Sequence, residues 1–131
     1  MKFVRQALSG QALTIYGDGK QSRDFILVWD AVEAVILALR DKRGVVNGES
    51  FNVGVGKATS VNAIADTVSR IFYAEYGKKV SKVNLPPRGG EPYVPNFCYS
   101  IGKIRGKLGF KPELSIEKYV RQLIEFGWEN L

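Results

Sequence analysis

The sequence predicts an α/β or α+β fold, and three observations carry that prediction. Runs with apolar residues at helical spacing alternate with short β-favouring runs, and glycine-bearing turns separate them. The chain has 131 residues, 45% hydrophobic and 24% charged, which is the ordinary usage of a folded domain. That length suits a single domain, 1–131, with a modest core.

The elements follow in order. Phe3–Ser9 places Phe3, Val4, Ala7 and Leu8 on one helical face, and Gly10 stops it. Leu13-Thr14-Ile15-Tyr16 reads as a strand, followed by the turn Gly17-Asp18-Gly19-Lys20. Arg23–Val28 reads as extended. Asp30 is expected to cap a helix striped by Val32, Val35, Ile36 and Leu39, with Gly44 as its stop. Ser50–Val53 reads as a short strand, and Gly54–Lys57 as a turn. Thr59 or Ser60 then caps a helix striped by Val61, Ile64, Ala65, Val68, Ile71 and Phe72, ended by Gly77. Val80–Leu85 reads as another strand. Pro86 to Pro95 holds four of the five prolines and is a loop, yet it carries Arg88, Glu91 and Tyr93. Ser100 is expected to cap a short helix to Leu108, which Gly109 ends. Ser115 caps the last helix, striped by Ile116, Tyr119, Val120, Leu123, Ile124 and Trp128.

Composition narrows the chemistry. There is no histidine, which removes the commonest general base and the commonest metal ligand. The single cysteine, Cys98, cannot form an internal disulfide or build a zinc site. The 19 Lys and Arg exceed the 13 Asp and Glu by six, and these charges are dispersed rather than clustered. Dispersal argues for a solvated surface and against a nucleic-acid face. The longest apolar stretches are too short to cross a membrane, and the start carries no long apolar segment after its basic residues. No membrane partner is therefore expected, and a cytoplasmic location is.

Two motifs imitate cofactor chemistry. Gly54-Val55-Gly56-Lys57-Ala58-Thr59 stands between a strand-like run and a helix, as a dinucleotide turn would. Its third glycine is replaced by Thr59, however, and Glu75, the acidic residue about twenty positions on, falls at a helix end. As a P-loop it fails at Ala58 and Phe51. Tyr-x-x-x-Lys occurs as Tyr16 with Lys20 and as Tyr99 with Lys103. The first spans a glycine turn and the second is only half on a helix, so neither gives the i, i+4 pairing that lowers a phenol's pKa. No catalytic and no cofactor-binding residue is assigned.

An ordered set of motifs carries more. Leu13–Ile26 with its Arg23-Asp24-Phe25, Asp30-Ala31-Val32-Glu33-Ala34, Phe51-Asn52-Val53-Gly54, Arg88-Gly89-Gly90-Glu91, Leu108–Pro112 and Ser115-Ile116-Glu117 resemble, in order and spacing, the carboxy-terminal portion of extended short-chain dehydrogenase/reductases. They are most similar to the NAD-dependent nucleotide-sugar epimerases and dehydratases of the UDP-glucose 4-epimerase type. Departures are small: Leu27 for an aromatic residue, Trp29 for an acidic one, Ser100 for an Asp cap.

The resemblance implies a small mixed-sheet substrate domain plus the last strand and helix of a truncated Rossmann-type sheet. It implies a UDP-sugar-like ligand, with Arg23 and Arg88 on the diphosphate, Glu91 on ribose hydroxyls and Tyr16 against the nucleotide. Guanidinium forks suit phosphate oxygens and stay charged at any working pH. The bland alternatives are an ion pair of Arg23 with Asp24 or Asp18, and a loop-pinning pair of Arg88 with Glu91. The resemblance also implies NAD for the complete enzyme, held by a glycine-rich turn and served by a helical Tyr-x-x-x-Lys that this chain lacks. It implies further that the helix after Asp30 leaves an apolar face bare. Self-association, or docking on a separate NAD-binding chain, is the expected consequence.

Overall fold

A computed structural model describes residues 2–90, 93–113 and 115–129. The chain divides into two compact units, each with its own core.

The first unit comprises Met1–Ser22, Thr59–Asn96 and Ser115–Leu131. It holds α1 (Lys2–Leu8), β1 (Leu13–Tyr16), α3 (Val61–Tyr76), β4 (Lys82–Leu85) and α5 (Ile116–Glu129). β1 and β4 run parallel, with Leu13 opposite Lys82 and Tyr16 opposite Leu85. Parallel neighbours need a long crossover, and here it contains α3. The three helices pack on one another, and α1 and α3 also pack on β1. Leu13, Ile15, Val68, Ile71, Phe72 and Ile124 are buried in this core, as the stripes predict. α3 begins where expected: the Ser60 hydroxyl accepts the Ala63 N–H at 3.1 Å. It ends at left-handed Gly77. Ser115 also serves as expected, its hydroxyl accepting from the Lys118 N–H at 3.4 Å.

The second unit comprises Arg23–Ala58 and Phe97–Leu114. It holds α2 (Val28–Leu39) and α4 (Gly102–Leu108) around Ala34, Ile101, Ile104, Leu108 and Phe110. The short strands β2 (Ser22–Asp24) and β3 (Ala58–Ser60) straddle boundaries between the units and form the other two-stranded sheet.

Four local expectations change. Asp30 is not a cap: the extended residue Leu27 precedes the helix, and the Ala31 N–H already bonds to its carbonyl, so Asp30 falls in the first turn. There it favours the positive helix end and accepts the Glu113 N–H at 3.4 Å. That helix stops at Arg40 rather than Gly44, because the Arg40 N–H closes the last turn on Ile36. Ser50–Val53 forms no strand, since no neighbouring strand pairs with it among the described residues; Phe51 and Val53 pack against the second core instead. Ser100 does not cap α4, which starts after Ile101.

The apolar face of α2 stands bare, as the resemblance implies. Ala34, Leu37 and Ala38 face the core, while Val28, Trp29, Val32, Val35 and Leu39 are 42–80% exposed.

Ion pairs tie α4 to the loop after α2. Lys103 and Lys107 each approach the Glu49 carboxylate at 2.5 Å. Hydrogen bonds from Lys103 and then Lys107 hold that carboxyl at about 2, below its ordinary 4.5. A carboxylate with a depressed folded pKa stabilises fully above the unfolded value and less as protons return. Denaturant midpoints should therefore fall as pH drops from about 4.5 towards 2. In Glu49→Gln this part of the acid sensitivity should be missing, measured by urea unfolding at stepped pH.

Candidate functional site

The first unit presents a polar edge where its parallel strands end. Tyr16 is the last residue of β1, and Arg88 lies three residues beyond the end of β4. Carboxyl ends of parallel strands are where open α/β sheets take ligands, because the chain there turns away and leaves a crevice. Pro86 and Pro87 start the loop that carries Arg88 over this edge, and Asn84 anchors it by donating to the Gly17 carbonyl at 2.8 Å. The Gly17 N–H in turn bonds to the Leu85 carbonyl at 2.9 Å.

The Arg88 guanidinium lies 4.0 Å from the Tyr16 ring centroid, and the Lys2 ammonium 4.7 Å. Cations over an aromatic face are held by its quadrupole. Hydrogen bonding from Arg88, with the charge of Lys2, keeps the Tyr16 phenol below its usual value of 10. The structure thus brings together two of the expected ligand residues, Tyr16 and Arg88, and adds Lys2. Lys2 carried no signal in the sequence, because only the packing of α1 brings it there.

Arg23 is exposed and belongs to the second unit. Glu91 lies outside the described residues. Asp18 and Asp24, the carboxylates weighed as partners for Arg23, each accept backbone N–H groups. Asp18 accepts the Lys20 N–H at 2.9 Å, and its other oxygen lies 4.0 Å from the Lys20 ammonium.

Asp24 does more. One oxygen accepts the Val55 N–H at 2.8 Å, and the other accepts the N–H groups of Gly56 at 2.9 Å and Tyr99 at 3.1 Å. Within the glycine motif, the Val55 and Gly56 amides thus already face a side-chain carboxylate. The same carboxylate explains Gly54, where a Cβ would sit 2.6 Å from it. The start of α3 is equally occupied. Its Val61, Asn62 and Ala63 N–H groups bond to Gln21, Gly19 and Ser60.

Neither Tyr-x-x-x-Lys pair forms a helical couple. Tyr16 and Lys20 flank a turn, and Tyr99 precedes α4 and stacks edge-on against Phe97 at 5.2 Å. No group of three metal-ligating side chains occurs among the described residues, and no helix there is long and apolar enough to cross a membrane. A cavity of about 260 Å³, lined by Gln11, Lys78, Lys79 and Ser81 among others, lies at the opposite, amino ends of β1 and β4. The negative ends of α1 and α3 lie there, so its lysines suit helix dipoles rather than an anion.

Comparison with known proteins follows the same lines. The profile described as "NAD dependent epimerase/dehydratase family" matches residues 1–54. UDP-N-acetyl-alpha-D-glucosaminuronate decarboxylase of Bacillus cytotoxicus is 34% identical over 128 residues, covering 95% of this chain and 38% of that protein. The chain belongs to the NAD-dependent epimerase/dehydratase family. Among solved structures, UDP-glucose 4-epimerase of Thermotoga maritima, determined with UDP-glucose, superposes with a TM-score of 0.78 at 31% identity, covering 98% of this chain and 38% of that one. UDP-N-acetylglucosamine 4-epimerase of Methanobrevibacter ruminantium, in complex with UDP-N-acetylmuramic acid, gives 0.80 at 27% identity, with coverage of 99% and 39%. The chain therefore spans a little over a third of the length of these family members, and its mixed α/β architecture is theirs.

Asp24→Asn turns an acceptor into a donor facing backbone N–H groups. It should lower stability by about 3 kcal/mol, read by chemical denaturation, whereas the neighbouring exposed Arg23→Ala should lower it by less than about 1 kcal/mol.

Proposed function

We propose that this chain is the nucleotide-sugar-holding portion of an NAD-dependent epimerase or dehydratase and is catalytically incomplete alone. The observation that carries the reading is the Arg88–Tyr16 pair at the carboxyl edge of β1 and β4. An aromatic ring that fixes a guanidinium, at the end of parallel strands, is preorganised for phosphate oxygens. Arg88 and Arg23 each supply one guanidinium to the diphosphate. Glu91 takes ribose hydroxyls, and Tyr16 lies against the nucleotide while it orients Arg88. The family resemblance supports these roles, as do the UDP-sugars named for relatives of known structure.

NAD belongs to the complete family enzyme. In this chain the Val55 and Gly56 amides of the Gly54–Thr59 motif are engaged by Asp24. The chain supplies binding and orientation, and hydride transfer falls to residues of the remaining portion.

The bare face of α2 supports the same division. Five apolar side chains stand out from one helix, Trp29 at 73% and Leu39 at 80% exposure, and such surfaces are normally covered. Its occupant in this reading is the cofactor-holding portion, the larger part of each relative's length that this chain does not span. Co-expression with that portion of the Bacillus cytotoxicus relative should give a 1:1 complex that Val35→Asp abolishes. A chain that instead forms a symmetric dimer through α2, or stays monomeric with the portion present, sinks this assignment.

The binding role is tested by calorimetry with UDP. Arg23→Ala and Arg88→Ala should each weaken binding by about tenfold or more, the loss of one charge-assisted bidentate contact. Unchanged affinity in both variants overturns the diphosphate assignment.

A further inference from the structure

Gln6 of α1 is locked to Thr14 of β1 by a two-point contact. Its amide donates to the Thr14 hydroxyl at 2.8 Å and accepts the Thr14 N–H at 3.2 Å. One helical turn before Gln6 stands Lys2, and two strand residues after Thr14 stands Tyr16. Four helical residues rise about 6 Å and two strand residues about 6.6 Å, so the helix and strand keep step. Side chains four apart on a helix share a face, as do side chains two apart on a strand. The Gln6–Thr14 clamp therefore delivers Lys2 onto Tyr16, where its ammonium lies 4.7 Å from the ring centroid. Val4 and Ala7, buried on the core side of α1, hold the helix in that register.

Lys2 makes no salt bridge among the described residues. It nevertheless shares one ring with the Arg88 guanidinium. Two cations gathered on a neutral phenol repel one another, and a ring quadrupole offsets that only in part. A polyvalent anion relieves the repulsion better than a singly charged one.

We propose that Lys2 is a third cation of the anion site, placed by the Gln6–Thr14 clamp to select a diphosphate over a monophosphate. This rests on the nucleotide-sugar reading above and adds to it a residue and a specificity. Arg88 supplies the fork that fixes orientation, and Lys2 supplies a point charge for the second phosphate.

The test is calorimetry with UDP, UMP and inorganic pyrophosphate on the full chain and on Lys2→Met, which keeps the apolar stem. UDP and pyrophosphate should each weaken by about tenfold, the scale of one charge-assisted contact, while UMP changes little. Lys2→Arg should restore most of the UDP affinity, and Gln6→Ala should reproduce part of the loss although it touches no ligand. UDP binding that depends on Arg88 but keeps its preference over UMP in Lys2→Met overturns the role of Lys2 and leaves the nucleotide-sugar reading standing. Lys2-dependent binding of pyrophosphate without any binding of UDP does the reverse. Binding of neither anion by the full chain overturns both.

Discussion

The parallel pairing of Leu13–Tyr16 with Lys82–Leu85 is the constraint on which the candidate site depends. Parallel strands end on the same side, so everything that follows either strand must turn at one edge. Tyr16 and the Gly17–Lys20 turn follow β1, while Pro86, Pro87 and Arg88 follow β4. An antiparallel pair would have sent these two segments to opposite ends. The pairing survives because Leu13 and Ile15 are wholly buried beneath it and β4, exposed along its length, needs only β1 to satisfy its ladder. α1 then covers the flank of β1, and the Gln6 amide takes the Thr14 N–H, a donor that would otherwise lie unpaired on the strand's flank.

In the second unit a single carboxylate does comparable work by different means. Residues 54–56 and 99 lie outside the strands, so side-chain bonding replaces a ladder there. Asp24 gathers three N–H groups from segments far apart in sequence. Charged acceptors make the stronger class of hydrogen bond. Gly54 is the steric counterpart of that carboxylate, as a side chain there would enter the space it occupies. A glycine pattern that resembles a nucleotide cradle is thus accounted for by a bond internal to the protein.

Much of this was legible in the sequence, and the limits have physical causes. α3 was readable end to end because its stripe, its Ser60 cap and its Gly77 stop are all local signals. β1 was readable for the same reason. Asp30 misled because a carboxylate suits both a cap and a first turn, and the choice between them rests on the backbone of Leu27. Ser50–Val53 misled because β-favouring residues say nothing about whether a partner strand lies alongside. Tyr16 and Arg88 were singled out through the resemblance, and the structure makes them neighbours. Lys2 and the three bonds of Asp24 were not, because each arises from contacts across long stretches of chain.

The α2 stripe is the most instructive case. Its sequence, Val28-Trp29-Asp30-Ala31-Val32-Glu33-Ala34-Val35-Ile36-Leu37-Ala38-Leu39, is apolar nearly all round. Periodicity finds a face only where polar residues mark the opposite one, and here Asp30 and Glu33 mark too little. The large apolar residues then look like the core, yet the core takes Ala34 and Ala38, whose small side chains permit close packing, together with Leu37. A helix that is apolar on every side is ordinarily buried on every side. One side of α2 meets the unit's own core, and the bulkier side lies exposed. The composition of α2 therefore leaves its bulkiest apolar side chains on the side away from the unit's own core.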